Sequence, residues 1–235
     1  MKIVIVSDVH ANFDALSVLP QSYDELWVLG DLVNYGPEPA AVVDFVKSEA
    51  AVVVRGNHDQ SIGFSEDPRF SPPFREMAEA TRRYTDSVLK FGHKHFLRNL
   101  PLYLEKQRGE TRFYVCHAVP SDPLFGYCEA ESPRWGQEAH EVDADVIVVG
   151  HTHVPAMRRF GPCVVVNPGS LGQPKTRGPK ARYAVWEGGE FKLKSFPYPF
   201  ENTATKIQNL PIDARVRNEL SRILRTGEIP PAQEL

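Results

Sequence analysis

The chain has 235 residues, 42% of them hydrophobic and 24% charged, and a formal net charge of -3. That length can bury a substantial core, and the slight acidic balance excludes a protein held mainly by contacts to a nucleic-acid backbone. Three cysteines, Cys116, Cys128 and Cys163, form no CxxC pair, which argues against a disulfide framework and for a reducing compartment.

The first apolar run directly follows Met1 and Lys2 and is too short for a signal-peptide core or a membrane span, so a cytoplasmic chain with no membrane partner is expected. From Lys2 to Arg55 the segments IVIV, NFDALSVL, ELWVL, PAAVVDFVKSE and AVVVR alternate strand and helix, which predicts a βαβαβ unit with parallel strands. Gly63, Pro68, Pro72 and Pro73 punctuate the stretch from Gln60 to Pro73, so a loop is expected there. Met77, Tyr84, Val88, Leu89, Phe91, Phe96 and Leu97 then recur at helical spacing, predicting one or two helices over Phe74 to Leu100 with a break near Gly92. Residues 61–100 thus read as a helical cap insertion beside the site.

Strands follow at YLEKQ and RFYVCH, with a helix near Pro133 to Glu141. VPAMRRF, CVVVN, RYAVWEG and EFKLKSF, separated by Gly and Pro turns, predict a largely antiparallel second sheet packed face to face on the first. Val216, Leu220, Ile223 and Leu224 share one helical face, so residues 212–235 are expected to form a terminal helix packed on the body and a frayed tail. Residues 1–235 read as a single domain without repeats or a P-loop.

Chemistry is concentrated in five short clusters, SDVH, LGDL, RGNHD, CHA and GHTH, each after an apolar run. Loops beyond the carboxyl ends of strands form the ligand crevice of open α/β sheets, so these clusters can converge on one place. Asp8 and His10 stand two apart, and on an extended backbone both would point toward one ion. The two oxygens of Asp31 can bridge neighbouring cations. Asn57 offers a neutral oxygen, and His117, His151 and His153 offer imidazoles. Mixed nitrogen and oxygen donors suit Mn²⁺, Fe or Zn²⁺ better than Mg²⁺, with Ni and Co also compatible. Any one of these residues alone reads as a cap, a turn or a core histidine; the joint occurrence at five successive strand ends carries the metal reading. His93, His95 and His140 lie outside the clusters and read as solvated.

In this order, D-x-H, GD, GNHD, a lone His and GHTH resemble the calcineurin-like metallophosphoesterase superfamily. The continuations GDLVNYGPEP and NPGSLGQPKTRGPKARY are similar to its compact bacterial and archaeal phosphodiesterase branch. The resemblance implies an α/β, four-layer αββα sandwich of two mixed sheets flanked by helices. It also implies two divalent ions, one held by Asp8, His10, Asp31 and His153 and the other by Asp31, Asn57, His117 and His151. Two such ions ~3.5–4 Å apart would activate a bridging hydroxide as nucleophile. By the same resemblance His58 donates a proton or hydrogen bond to the phosphoryl or leaving-group oxygen. Asp59 would orient a neighbouring group or serve as a turn residue.

After the strand CVVVN, Asn167 and Ser170 are candidates to brace the ligands, and Gly169 to let the backbone pass close to the ions. Gln173, Lys175, Arg177, Lys180 and Arg182 form a basic stretch able to meet a phosphate or to remain a solvated loop. Serine/threonine protein phosphatases carry GDxxDRG at the second cluster, whereas Asn34 and Tyr35 stand here, so a phosphate-binding arginine is missing. Tyr35 could stack on a base or pack. The substrate expected is a small or nucleotide-like phosphodiester. The alternatives are a phosphomonoesterase, including dinucleoside polyphosphate or protein phosphatases, and a non-catalytic protein-binding scaffold.

Overall fold

A computed structural model describes residues 1–20, 22–66, 69 and 74–228 of the chain. Its elements are strands β1 (Lys2–Val6), β2 (Glu25–Val28) and β3 (Val52–Val53) with helices α1 (Phe13–Ser17) and α2 (Pro39–Glu49) between them. Helices α3 (Asn57–Phe64), α4 (Arg75–Val88) and α5 (Phe91–Asn99) follow, then β4 (Tyr103–Arg108), β5 (Thr111–Cys116), α6 (Trp135–His140) and β6 (Val146–Val148). The chain continues through β7 (Ala156–Phe160), β8 (Cys163–Asn167), β9 (Lys180–Glu187) and β10 (Glu190–Pro197), then α7 (Phe200–Gln208) and α8 (Ala214–Thr226).

Two mixed five-stranded sheets result, in the orders β10-β9-β1-β2-β3 and β4-β5-β6-β8-β7. Strands β1, β2 and β3 pair in parallel, as do β5, β6 and β8, while β9 joins β1, β10 joins β9, β4 joins β5 and β7 joins β8 antiparallel. Strand alternation builds the layers. Ile3, Ile5, Trp27, Phe113, Val115 and Val148 face inward and form the core between the sheets. Val4, Val6, Leu26 and Val28 point the other way into a core shared with α1 and α2. Tyr114, Cys116, Ile147 and Val149 pack outward with Trp135 of α6. Both faces of the central strands are therefore apolar, which is why their sequences are continuous hydrophobic runs. This is the αββα sandwich that the resemblance implies.

Several local expectations need correction. The four late runs do not make one antiparallel sheet: β7 and β8 join β6, whereas β9 and β10 pass over to β1. Turn residues mark where strands end, but partner choice is set by long-range packing. The expected loop from Gln60 begins with helix, because α3 runs to Phe64, while Pro68, Pro72 and Pro73 lie outside the described residues. The break between α4 and α5 falls at Leu89 and Lys90, and exposed Gly92 continues inside α5. Helix α7 is absent from the sequence-based expectation, whereas α8 matches it and is capped by the Asp213 side chain on the Arg215 N–H. The expectation of a frayed tail falls on residues 229–235, which lie outside the described residues.

The helices of the expected cap are packed into the body. Leu97 of α5 is fully buried in the core of α1 and α2, and Arg55 donates to the Arg98 carbonyl at 2.7 Å. Met77 and Ala78 of α4 meet Val216 and Leu220 of α8. No helix among the described residues is long and apolar enough to cross a membrane.

Candidate metal centre

Parallel pairing within each sheet brings the carboxyl ends of β1, β2, β3, β5, β6 and β8 to one edge of the sandwich, and the five clusters start there. Their loops are stitched together by backbone hydrogen bonds. Asp8 N–H donates to Gly30 O, His10 N–H to Asp31 O, Gly150 N–H to His117 O and Gly172 N–H to Asp8 O, all at 2.8–3.1 Å. The approach is close enough to require glycine: a Cβ on Gly56 would lie 2.1 Å from Asp31 Oδ1, and one on Gly172 1.8 Å from the Val9 carbonyl. Gly172, not Gly169, is thus the glycine that lets the NPGS loop close on the site. Gly169 instead has φ +78° and packs near Pro155.

Asp8, His10, Asp31, His151 and His153 all have positive φ, between 47° and 64°. The sequence-based reason for pairing Asp8 with His10, alternation along an extended chain, is therefore incorrect. A left-handed turn brings them together, a conformation that costs side-chain-bearing residues free energy and is concentrated at functional sites.

The side chains form three groups whose ligating atoms lie within 4.8 Å of one another: Asp8 with His10 and His153, His10 with Asp31 and His58, and Asp31 with His117 and His151. His10 joins the first two groups and Asp31 the last two, with Asp31 Oδ2 3.4 Å from His117 Nε2, 3.8 Å from His10 Nε2 and 3.9 Å from His58 Nε2. Asn57 opens α3 and lines the same 240 Å³ pocket as Asp31, His58, His151 and His153.

Backbone carbonyls orient the rings. His10 Nδ1 donates to Val33 O at 3.1 Å, His117 Nδ1 to Leu29 O at 2.7 Å and His153 Nδ1 to Gln173 O at 2.7 Å, so each turns Nε2 toward the cluster. His58 is held the opposite way. Its Nδ1 accepts from Asn34 Nδ2 at 2.9 Å, which leaves the proton on Nε2. Both oxygens of Asp8 are buried and make no hydrogen bond, as expected of a carboxylate built for a cation. The donor set therefore fits divalent metal ions.

The residue types, their order and this convergence agree with a family match: the calcineurin-like phosphoesterase superfamily domain covers residues 1–188. The chain belongs to the calcineurin-like phosphoesterase superfamily. It is accordingly a hydrolase of phosphoric esters. Within this superfamily, the metallophosphoesterase structure from Sphaerobacter thermophilus is 27% identical, superposes with a TM-score of 0.80 and covers 94% of this chain and 99% of its own. Uncharacterized protein MJ0912 of Methanocaldococcus jannaschii is 27% identical over 212 residues, 82% of this chain and 85% of the relative. Phosphodiesterase YfcE of Escherichia coli K12 is 29% identical over 197 residues, 76% and 84% of the two chains.

Other predicted residues fall into unequal places around this superfamily centre. Asp59 spends both oxygens on backbone, accepting from Leu32 N–H at 2.8 Å and Gly56 N–H at 3.0 Å. It clamps the Asp31 loop to the start of α3 and so acts as a positioning residue. Ser170 Oγ donates to the Asp8 carbonyl and Asn167 Nδ2 to the Gly150 carbonyl, so both brace ligand loops. Tyr35 is buried edge-on against His10, with centroids 4.8 Å apart, and forms part of the pocket lining. Of the basic stretch only Lys175 reaches the pocket, its Nζ 4.8 Å from the Phe74 ring centroid. Arg69, Phe125 and Tyr127 also line that pocket, and no motif marks them.

Burial governs the protonation states. It lowers His10 and His151 to about 3 and His58 to about 4, and raises Asp8 to about 7. At His117 burial acts downward, but the Asp31 and Asp8 carboxylates outweigh it and push the ring up to about 9. Since this pKa is raised, its contribution to the metal-free fold is fully present below about 6.5 and is lost as pH rises through about 9. Cations require bare His117 and Asp8, so loading at pH 7 should release on the order of one proton per chain. Calorimetry in buffers of different ionisation enthalpy reads this release directly. Metal uptake with no proton released would contradict the His117–Asp31 ion pair.

Proposed function

We propose that the protein is a dinuclear metal-dependent phosphodiesterase acting on a small or nucleotide-like phosphodiester, with His58 as hydrogen-bond donor or acid. The observation that carries this reading is the opposed orientation of the histidines around Asp31 Oδ2. His10 and His153 turn lone pairs toward the cluster, and His117 turns an Nε2 that can ligate once it gives up its proton, whereas Asn34 fixes an N–H on the Nε2 of His58. In this reading Asp8, His10, Asp31 and His153 hold one ion and Asp31, Asn57, His117 and His151 the other, with Mn²⁺ the preferred metal. When bound, two divalent ions would polarise phosphoryl oxygens and supply an activated water.

The chain's own groups do the rest. Lys175 places an ammonium in the pocket wall, where it can bind a phosphoryl oxygen in place of the arginine absent at Tyr35. His58 Nε2–H faces the pocket and can donate to the departing oxygen. Three buried, unpaired cysteines suit a reducing compartment, and we place the enzyme in the cytoplasm.

The test is metal analysis followed by an assay panel of phosphodiesters, phosphomonoesters and dinucleoside polyphosphates with Mn²⁺ supplied. Two ions per chain and the highest kcat/KM on a diester are expected. Two bound ions with no hydrolysis of any ester would favour a scaffold, and faster monoester turnover would favour a phosphomonoesterase. In the same assay Lys175→Ala should raise KM about tenfold, the loss of one charge-assisted contact, with metal content unchanged. An unaltered KM would remove Lys175 from the substrate site.

A further inference from the structure

The pocket at the centre, about 240 Å³, holds a phosphate group but falls below the roughly 300–1,000 Å³ common for whole small-molecule ligands. The remainder of a substrate must lie elsewhere. A separate cleft of about 590 Å³ adjoins it, and Tyr127 lines both. The loop after β6 is also shared: His151 and His153 face the centre, whereas Thr152 and Val154 face the cleft. Tyr127 stands with its ring centroid 6.0 Å from that of His151.

Two features describe the occupant. Tyr127, Val154 and Met157 expose 57%, 40% and 41% of their surface around the opening, and Trp135 and Phe160 form walls further in. An exposed ring and a thioether on one cleft suit a planar aromatic group, since stacking uses the π-face whatever its substituents. The charges on the cleft are Glu129, Glu131 and Arg158, and Arg158 is tied to Glu131 in an ion pair. This rim repels phosphate and accepts hydrogen bonds from amino groups, the reverse of the Lys175 side.

We propose that this cleft is the subsite for the amino-bearing base of a nucleoside phosphoester, with Tyr127 as the stacking wall between base and reaction centre. The assignment rests on the phosphoesterase reading and narrows it to nucleoside esters. It also accounts for a large exposed apolar surface beside a hydrolytic centre, which would otherwise be unused.

The test compares the metal-loaded full chain with Tyr127→Ala and Met157→Asp on three methyl phosphodiesters, those of adenosine, hexanol and glycerol. Each substitution should lower kcat/KM for the adenosine ester about tenfold, chiefly through KM, and for the glycerol ester by roughly twofold or less. An equal fall with glycerol, or no fall with adenosine, overturns the subsite. A fall with the hexyl ester as large as with adenosine overturns the choice of a base. Adenosine is also titrated against metal-free protein by NMR, where saturable shifts at the cleft, lost in Met157→Asp, are expected. No saturable shift in the unsubstituted protein overturns the proposal. Saturable binding without hydrolysis of any ester supports the subsite and rejects only the phosphodiesterase reading.

Discussion

Replacing His58 with alanine is expected to lower kcat by roughly 10²- to 10⁴-fold on esters with poor leaving groups while metal content stays unchanged. The direction follows from the ring's hydrogen bonding. Asn34 donates to Nδ1, so Nε2 keeps its proton and cannot serve as a ligand in that tautomer. Burial holds the ring's pKa down at about 4, so it remains neutral at pH 7 and acts as a donor instead of a fixed charge. Good leaving groups need little protonation, and with them the loss should be much smaller. His58 supplies packing as well, with its centroid 5.0 Å from that of His10, so circular dichroism and metal analysis accompany the kinetics. A variant with two ions bound and unchanged kcat on poor leaving groups would reject the donor role.

Asp31→Asn is expected to do more, reducing metal content from two ions to one or none and kcat/KM by roughly 10³-fold or more. Oδ2 lies closest to three separate imidazoles, and Oδ1 accepts the His58 backbone N–H at 2.9 Å. An amide of the same size retains one oxygen but presents N–H groups, which bind no cation, to the other side. The substitution also removes the charge that pushes His117 upward, so the metal-free variant should lose less stability than the parent as pH rises from about 6.5 to about 9. Metal analysis by mass spectrometry, kinetics and thermal melts against pH read these effects. Two tightly held ions with ordinary activity would show that Asp31 does not bridge.

Much of this centre is legible in one dimension because parallel sheets make it so. Strands covered on both faces must be apolar throughout, and their carboxyl ends must share an edge, so polar residues immediately after such runs are brought together. Asp8, His10, Asp31, Asn57, His117, His151 and His153 could be selected on that basis, and the residues lie at one edge of the sandwich. The helix at GNHD was less visible. Its first residues are the site's own polar groups, and Gly56 caps it without a side-chain hydrogen bond.

Residue type and order determined by themselves the superfamily, the layered α/β architecture and the residues able to hold metal. Only the tertiary structure decided how those residues act. Whether β9 pairs with β8 or with β1 depends on burying Ala184 and Trp186 between the sheets, a contact between distant segments. The left-handed turns at Asp8 and His10, the commitment of Asp59 to two backbone amides and the selection of Lys175 from five basic or polar neighbours depend on such contacts too. So does the difference between His58 and the other histidines. A ring's tautomer is set by what its second nitrogen touches, and those partners, Asn34, Val33, Leu29 and Gln173, arrive from loops remote in sequence.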